Sequence, residues 1–296
     1  MKNIMPDWAK ALTLYEVNIR QYTPEGTLKA FASHLPRLQE LGAGILWLMP
    51  VQPIGKLNRK GSLGSYYSIQ DYTAVNPDFG TLEDFKALVQ EAHNSGMYVI
   101  LDWVANHTAW DHHWREEHPD FYTRNETGDF KSPVPDWEDV MELDYSNPDM
   151  RKAMQEAMRF WIQEANIDGF RCDMAHLVPT EFWEETREAL RNEKELFMLA
   201  ESQNRHLLHT AFQAEYSWEL HHAINALANE KKNAHDLHAV VEQEIVHFPA
   251  NAAPMLFTSN HDENSWNGSA PERLGFALEP LNVLTFTLNG IPLIYN

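Results

Sequence analysis

The stretch Leu82–Trp103, LEDFKALVQEAHNSGMYVILDW, decides the fold class of this 296-residue chain. Its first part, as far as Ser95, has apolar residues at helical spacing, and Thr81 and Asp84 fit the N-cap and third position of a helix. Its last part, Tyr98–Trp103, is a short apolar run of the kind that forms a buried strand. A helix that leads into a buried strand is the repeating unit of a parallel α/β sheet.

The same alternation runs along the whole chain. Short apolar runs predict eight strands at Leu12–Val17, Ile45–Met49, Tyr98–Trp103, Gly169–Asp173, Leu196–Ala200, Ala214–Trp218, Met255–Ser259 and Pro292–Tyr295. Longer periodic stretches predict helices at Leu28–Leu41, Leu82–Ser95, Met150–Ala165, Thr180–Asn192, Leu220–Glu230, His235–Val246 and Ala270–Leu288. Eight strands with intervening helices indicate an α/β fold, a closed (β/α)8 barrel whose active-site residues lie on the loops that follow the strands.

The connection after the third predicted strand, residues 107–147, is too long for an ordinary loop and is rich in Asp, Pro and Trp. Such long connections in compact domains are usually functional. We therefore predict a small lid-like subdomain at 107–147, inserted between barrel segments 1–106 and 148–296.

The last residues, Gly290–Asn296, read as the eighth strand. A closed barrel needs a helix after this strand to cover the seam between its last and first strands. The sequence therefore predicts a chain cut at its C-terminus, with an apolar seam left uncovered.

Composition narrows the class of ligand. The formal net charge of −20 argues against nucleic acid and anionic membrane surfaces, and suits a neutral, hydroxyl-rich ligand such as a sugar. Residues 1–8 hold no apolar run long enough for a signal peptide, and no window approaches 18 apolar residues. We expect a cytoplasmic protein, although the mature form of an exported protein stays open. The single cysteine, Cys172, excludes an intrachain disulfide.

Two predicted strands end in carboxylates. Arg171 and Asp173 are two residues apart and face the same way, so the guanidinium would favour the ionised form of the carboxyl that a nucleophile requires. Glu201 closes an apolar strand, where partial desolvation would raise its pKa toward that of a general acid. A structural ion pair and a helix-capping acid, respectively, are the alternatives.

Two further strand ends carry polar clusters. Asp102, Asn106 and His107 follow the third strand, and His261 and Asp262 follow the seventh. Taken singly, each has an ordinary explanation as a loop or capping residue. Their recurrence at strand ends favours contact with a ligand.

Together these segments resemble the four signature regions of the α-amylase superfamily of glycoside hydrolases. The matching segments are Asp102–His107 (D-x-x-x-N-H), Gly169–Asp173 (G-F-R-x-D), the strand-closing Glu201, and Asn260–Asp262 (N-H-D). The resemblance implies a retaining double displacement with Asp173 as nucleophile, Glu201 as acid and base, and Asp262 stabilising the transition state. It also implies that the family's C-terminal β domain is absent here.

The resemblance further implies sugar contacts at the cleavage point from His107, Arg171 and His261, with Asp102 bracing Arg171. Tyr67 matches a family tyrosine whose ring stacks on the sugar, although packing in the core is the alternative.

Two features concern specificity and metal. His176 and Leu177 stand where many α-amylases carry a Lys-His pair, which leaves the leaving-group-side subsites and the bond preference open. His176 is predicted to bind substrate. Asn106 and Asp144 match positions that bind a structural Ca²⁺ in many members of the family. The alternative is an insertion that is held by hydrogen bonds alone. The chemistry itself requires no cofactor.

The leading interpretation is a hydrolase of α-1,4-glucosidic bonds in starch-like α-glucans or maltooligosaccharides. A transglycosylase or a relative acting on α-1,6 bonds or cyclodextrins is the second, because the same three carboxylates serve all of these. An inactive glucan-binding barrel is the third. The oligomeric state stays open.

Overall fold

The structure, a computed structural model, describes residues 5–296 apart from the side chains of residues 245–247. Its centre is a closed barrel of eight parallel strands in the order β1-β10-β9-β8-β7-β6-β3-β2. These strands are β1 (Thr13–Val17), β2 (Ala43–Leu48), β3 (Tyr98–Trp103), β6 (Gly169–Cys172), β7 (Phe197–Ala200), β8 (Ala214–Tyr216), β9 (Ala253–Leu256) and β10 (Ile291–Tyr295).

The barrel closes through its first strand. Leu14 of β1 is in register with Ile45 of β2 on one side and with Leu293 of β10 on the other. The predicted (β/α)8 barrel is therefore confirmed.

Twelve α-helices surround or extend the barrel in the described residues. They are α1 (Ile19–Tyr22), α2 (Leu28–Ala32), α3 (Leu35–Leu41), α4 (Leu82–Asn94), α5 (Trp114–Glu117), α6 (Pro148–Ala165), α7 (Thr180–Leu190), α8 (Trp218–Ala228), α9 (Ala234–His247), α10 (His261–Trp266), α11 (Ala270–Leu274) and α12 (Leu278–Thr287). The capping box predicted at Thr81 and Asp84 begins α4.

Two predicted helices are each split in the structure. The helix predicted over Leu28–Leu41 is divided into α2 and α3, since the Ser33 hydroxyl donates to the Ala30 carbonyl at 2.7 Å and Pro36, near the start of α3, has no N–H. The helix predicted over Ala270–Leu288 is divided at Gly275, whose φ of 51° is not helical.

Several strand predictions were wrong at their boundaries; the second strand, for example, begins at Ala43 rather than Ile45. The seventh barrel strand, predicted at Met255–Ser259, is Ala253–Leu256 and includes Pro254, which pairs in register with Glu215. The sixth ends at Tyr216, two residues early, because Trp218 already begins α8.

Residues 107–147 contain a small antiparallel sheet of β4 (His107–Ala109) and β5 (Val140–Glu142). The Trp110 indole N–H donates to the Glu138 carbonyl at 2.8 Å and so ties the two ends of this segment together. The division of the chain into a barrel and an inserted subdomain stays a prediction.

Side chains alternate between two apolar layers. The barrel interior is filled by residues such as Leu14, Ile100 and Leu199, which belong to one buried cluster. Their immediate neighbours, such as Leu101, point outward to the helices and belong to a larger cluster. A charged residue that points inward near the end of a strand therefore lies on this layer of apolar side chains, the apolar floor of the barrel.

In the part of the chain that the structure describes, no helix combines the length and the apolar character needed to cross a bilayer. The cytoplasmic location and the lack of affinity for nucleic acid stay predictions.

Candidate active site

A layer of charge lies above the apolar floor of the barrel. Glu16, Asp102 and Arg171 follow Leu14, Ile100 and Gly169 by two residues on β1, β3 and β6 and so also point inward. All three are fully buried. Buried charges persist only where they are paired, and here each has a partner of opposite charge.

Arg171 is the centre of this layer. Its Nη1 lies 2.8 Å from Asp102 Oδ1 and 3.0 Å from Asp173 Oδ1. Its Nη2 lies 2.9 Å from Glu201 Oε2, an ion-pair contact that lacks the alignment of a hydrogen bond. Its Nε donates to the Tyr216 hydroxyl at 3.1 Å. One guanidinium therefore holds the carboxyls of Asp173 and Glu201 side by side.

The Glu201 carboxyl is also held from the backbone. Met174 has a left-handed conformation, with φ of 43°, which L residues other than glycine adopt rarely. This turn directs the Met174 N–H to Glu201 Oε2 at 2.9 Å. The strained turn after β6 thus positions the acid that follows β7.

The two carboxyls share their titration. Burial and the neighbouring Glu201 carboxylate raise the pKa of Asp173 well above its ordinary value. Burial also disfavours ionised Glu201, but Arg171 and the Met174 N–H outweigh it and lower the pKa of this carboxyl. The sequence predicted the opposite directions. The prediction was wrong because Arg171 contacts both acids, while Met174 donates only to Glu201.

Asp262 joins the site through His261. The side chain of Asp262 is 40% exposed, and its Oδ2 lies 3.5 Å from His261 Nε2. His261 Nδ1 lies 2.5 Å from Glu16 Oε1. Burial lowers the pKa of His261, but Glu16 and then Asp262 outweigh it and raise this pKa to about 9. The imidazolium therefore links the buried Glu16 to the exposed Asp262.

Tyr67 completes this side of the site. Its hydroxyl lies 2.6 Å from His261 Nε2 and donates to Asp102 Oδ2 at 3.2 Å. Its ring stacks on the His261 ring with centroids 5.5 Å apart. The structure thus brings Tyr67, Asp102 and His261 together.

His107 lies nearby in a drier environment. Its side chain is buried against Trp137, with ring centroids 5.5 Å apart. Burial, only partly offset by a hydrogen bond with the Tyr67 backbone, lowers its pKa to about 4. His107 is therefore neutral at physiological pH, unlike His261.

His176 lies apart from the Arg171 group. It is exposed on the short turn Ala175–Leu177 after β6, and it lines a cleft that also reaches Glu201. Binding of substrate by His176 stays a prediction.

The predicted calcium ligands do not form a fitting set of donors. Asp144 Oδ1 accepts hydrogen bonds from both the N–H and the hydroxyl of Ser146, at 2.9 and 2.6 Å. The side-chain amide nitrogen of Asn106 faces His107 Nδ1 at 3.3 Å, and its backbone carbonyl accepts from the Leu143 N–H. Within the described residues, no three His, Cys, Asp or Glu side chains are grouped so as to hold a metal. Calcium prefers six to eight oxygen ligands, so these residues do not fit it.

Sequence reasoning missed three residues of the site. Glu16 supports His261, Tyr216 accepts from Arg171, and the Trp47 indole donates to Asp102 Oδ2 at 3.1 Å. All three are inward-facing residues at or near the ends of barrel strands. The rule that selected Asp102 and Arg171, applied to every strand, would have found them.

Comparison with known proteins agrees with this geometry. The chain matches the family described as "Alpha amylase, catalytic domain" over residues 7–140 and 134–296. The chain belongs to this family. The resemblance carried by the four signature segments is thereby confirmed.

Two solved structures are similar over nearly the whole chain. An α-amylase from Lactobacillus plantarum is 35% identical, with 98% of this chain and 72% of that one covered and a TM-score of 0.89. A noncanonic maltogenic α-amylase, AmyB, from Thermotoga neapolitana is 33% identical, with 98% and 68% covered and a TM-score of 0.91.

Curated relatives are longer proteins. α-Amylase MalA from Haloarcula japonica is 28% identical over 98% of this chain, which spans 44% of that protein. An α-1,4-glucan:maltose-1-phosphate maltosyltransferase from Rhodospirillum rubrum is 35% identical over 57% of this chain and 28% of its own length. The chain thus spans less than half the length of these two relatives.

Proposed function

We propose that the chain is a retaining glycoside hydrolase that cleaves α-1,4-glucosidic bonds in starch-like glucans or maltooligosaccharides. The observation that carries this proposal is the pairing of Asp173 and Glu201 on the single guanidinium of Arg171. A retaining enzyme needs two carboxyls roughly 5–5.5 Å apart, one to attack and one to move a proton. Carboxyls held by neighbouring nitrogens of one guanidinium fit this requirement.

In the first step, Asp173 attacks the anomeric carbon and forms a covalent bond to the glucosyl unit. The bond from that carbon to the leaving sugar breaks, and the departing oxygen takes the proton of Glu201. In the second step, water attacks the same carbon and gives its proton to Glu201, and the bond to Asp173 breaks.

The proton must start on Glu201, although in the free site Asp173 has the higher pKa. Both carboxyls contact the same guanidinium, so the protonation of one depends on the other and a single proton can be held by either. A bound sugar whose glycosidic oxygen accepts from Glu201 favours the proton there. Asp173 is then left ionised beside Arg171 for attack.

The remaining residues have binding roles in this proposal. Asp262 and the charged His261 hold substrate hydroxyls, and the carboxylate of Asp262 favours the positive charge that develops on the glucosyl ring. Tyr67 offers an aromatic face to the sugar, and the neutral His107 also contacts it. Asp102 fixes the orientation of Arg171.

Transfer to a sugar acceptor is the second candidate function. Relatives named maltosyltransferases reach 35% identity over part of the chain, and transfer differs from hydrolysis only in which molecule meets the covalent intermediate. An α-1,6-acting relative shares the same chemistry. The presence of all three carboxylates argues against an inactive barrel.

The proposal includes no cofactor and no step through a metal, because proton transfer and attack are assigned to carboxylates alone. Structural calcium at Asn106 and Asp144 is not part of it, since two side chains fall short of the oxygen ligands that calcium requires.

The test is turnover of soluble starch, maltoheptaose, pullulan and β-cyclodextrin, with Asp173→Asn as the matched control. We expect maltooligosaccharides from starch, with the new reducing end first released in the α configuration as seen by proton NMR. A 5-fluoro-α-maltosyl fluoride should add its glycosyl mass to the peptide that contains Asp173. An initial β product, or no turnover by the folded protein, would contradict the proposal.

A further inference from the structure

A cleft of about 780 Å³ opens beside the Glu201 carboxyl. Its walls include Gln203 from the loop after β7, and Trp218 and His222 from the start of α8. Asp173, which the structure also describes, does not line it. The cleft therefore lies on the side of the proposed acid rather than of the nucleophile.

The proposed reaction indicates which part of the substrate lies in this cleft. Glu201 protonates the glycosidic oxygen, and that oxygen leaves with the departing sugar. The first ring of the leaving group must therefore lie just beyond Glu201. This step rests on the proposed function and deepens it.

Trp218 is held rigidly at this cleft. Its ring lies 5.3 Å from the Tyr216 ring, 5.1 Å from the Phe257 ring at 87°, and 6.0 Å from the His222 ring at 25°. The hydroxyl of Tyr216 in turn accepts from Arg171. The indole is thus fixed relative to the arginine that holds both carboxyls, as a preorganised binding surface requires.

The character of the wall suits a neutral sugar. The half-buried indole offers a flat apolar face of the kind that covers the C–H face of a pyranose. The exposed side chains of His176 and Gln203 offer hydrogen bonds to ring hydroxyls. Among the described residues that line the cleft there is no Lys or Arg, so nothing there selects a phosphate.

We propose that Trp218 is the stacking platform for the first glucosyl unit of the leaving group, with His222 packed behind it. The same platform receives an acceptor sugar when the covalent intermediate is transferred rather than hydrolysed. Trp218 therefore selects an uncharged glucosyl leaving group over a phosphate or a small leaving group.

The test compares the activities of the Trp218→Ala and Trp218→Phe variants on two substrates. Maltotetraose places a sugar in the cleft, whereas α-maltosyl fluoride releases a fluoride that does not occupy it. We expect the ratio of kcat/KM for maltotetraose to that for the fluoride to fall about tenfold or more in Trp218→Ala, and to recover largely in Trp218→Phe.

The matched control is Phe276→Ala, which removes an aromatic ring that is 88% exposed and does not line the cleft. It should leave the ratio as in the wild type. A ratio unchanged in Trp218→Ala overturns the proposal. So does an equal loss on both substrates, because the ring would then act only by supporting Tyr216 and Arg171.

A binding measurement separates this proposal from the proposed function. Calorimetry would compare the affinity of maltoheptaose for Asp173→Asn with that for Asp173→Asn combined with Trp218→Ala. Weaker binding by the double variant supports the platform, and equal binding overturns it. The result needs no turnover, so a wild type that fails to hydrolyse glucans would contradict the proposed function alone.

Discussion

Two clusters of ion pairs in this protein are each built around an arginine, yet they have different surroundings. Arg171 points into the barrel and contacts Asp173 and Glu201. Arg205 lies outside the barrel wall, with its Nη2 2.6 Å from Glu244 Oε1 and its Nε 3.7 Å from Glu215 Oε1.

Both clusters contain a carboxyl with a raised pKa. In the second cluster, burial raises the pKa of Glu215 to about 8, Arg205 opposes the rise, and Glu244 adds to it. Glu215 alternates with Ala214 and Tyr216, which face the barrel interior, so it points to the helix layer. Its side chain is 2% exposed, whereas Glu201 lines an open cleft and Asp262 is 40% exposed.

A carboxyl with a shifted pKa therefore marks an active site only where substrate can reach it. The Arg171 cluster lies at the end of inward-facing strands and opens on a cleft. The Arg205 cluster instead connects the loop after β7 to α9 through the pair of Arg205 with Glu244. The Ser217 hydroxyl also donates to Glu244 Oε2 at 2.7 Å. We therefore expect changes in the first cluster to alter activity and changes in the second to alter stability.

The largest expected effect is in the first cluster. Asp173→Asn removes the proposed nucleophile and should lower kcat/KM for maltoheptaose by about 10⁴-fold or more. Its free energy of unfolding should not fall, because a buried carboxyl that resists ionisation is replaced by a neutral isostere. Steady-state kinetics and urea unfolding measure both. Activity within tenfold of the wild type would break the assignment.

The next effect is in the second cluster. Arg205→Met leaves the buried Glu244 without its cation and should lower the free energy of unfolding by about 3 kcal/mol. The kcat of the folded protein should change little. Arg191→Met is the control, because its pair with Glu188 is exposed and contributes less than about 1 kcal/mol. A large loss of kcat without loss of stability would reverse the distinction between the clusters.

A pH-dependent effect of similar origin is expected at Glu215. The pKa of Glu215 in the folded protein is about 8, above its ordinary value of 4.5. The free energy of unfolding is therefore highest below pH 4.5, where Glu215 is protonated in both states, and it falls as the pH rises toward 8. Glu215→Gln removes this loss and should be more stable than the wild type by roughly 2–4 kcal/mol at pH 8, and about equally stable at pH 4.5. Thermal unfolding across this range tests it. A variant that is less stable at pH 8 would show that ionised Glu215 is paired well.

The sequence could predict much of the first cluster and little of the second. Asp173, Glu201 and Asp262 were found because the strand period and the family segments point to the same positions. Arg205 and Glu244 come from a loop and a helix with no recurring pattern. Their meeting depends on how α9 packs on α8, which no local spacing specifies.

The sequence also could not predict which of the two carboxyls has the higher pKa. The order of the Asp173 and Glu201 pKa values depends on the left-handed turn at Met174, and Met carries no local signal for that conformation. The barrel itself was predictable because its strands are short apolar runs between periodic helices. The breaks at Ser33 and Gly275 were missed because helical periodicity continues across them.

The smallest expected effect separates charge from shape within the first cluster. Glu16→Gln keeps the size of the side chain but removes the anion that raises the pKa of His261 to about 9. That pKa should fall, and the alkaline limb of the kcat/KM profile should move to lower pH, with up to about tenfold less activity than the wild type at pH 8 and little change at pH 6. The sign follows because Asp262 and the glucosyl hydroxyls face a charged His261 in the proposed reaction. An equal loss at both pH values would mean that Glu16 supports His261 by packing alone, as Glu244 and Ser217 support each other in the second cluster.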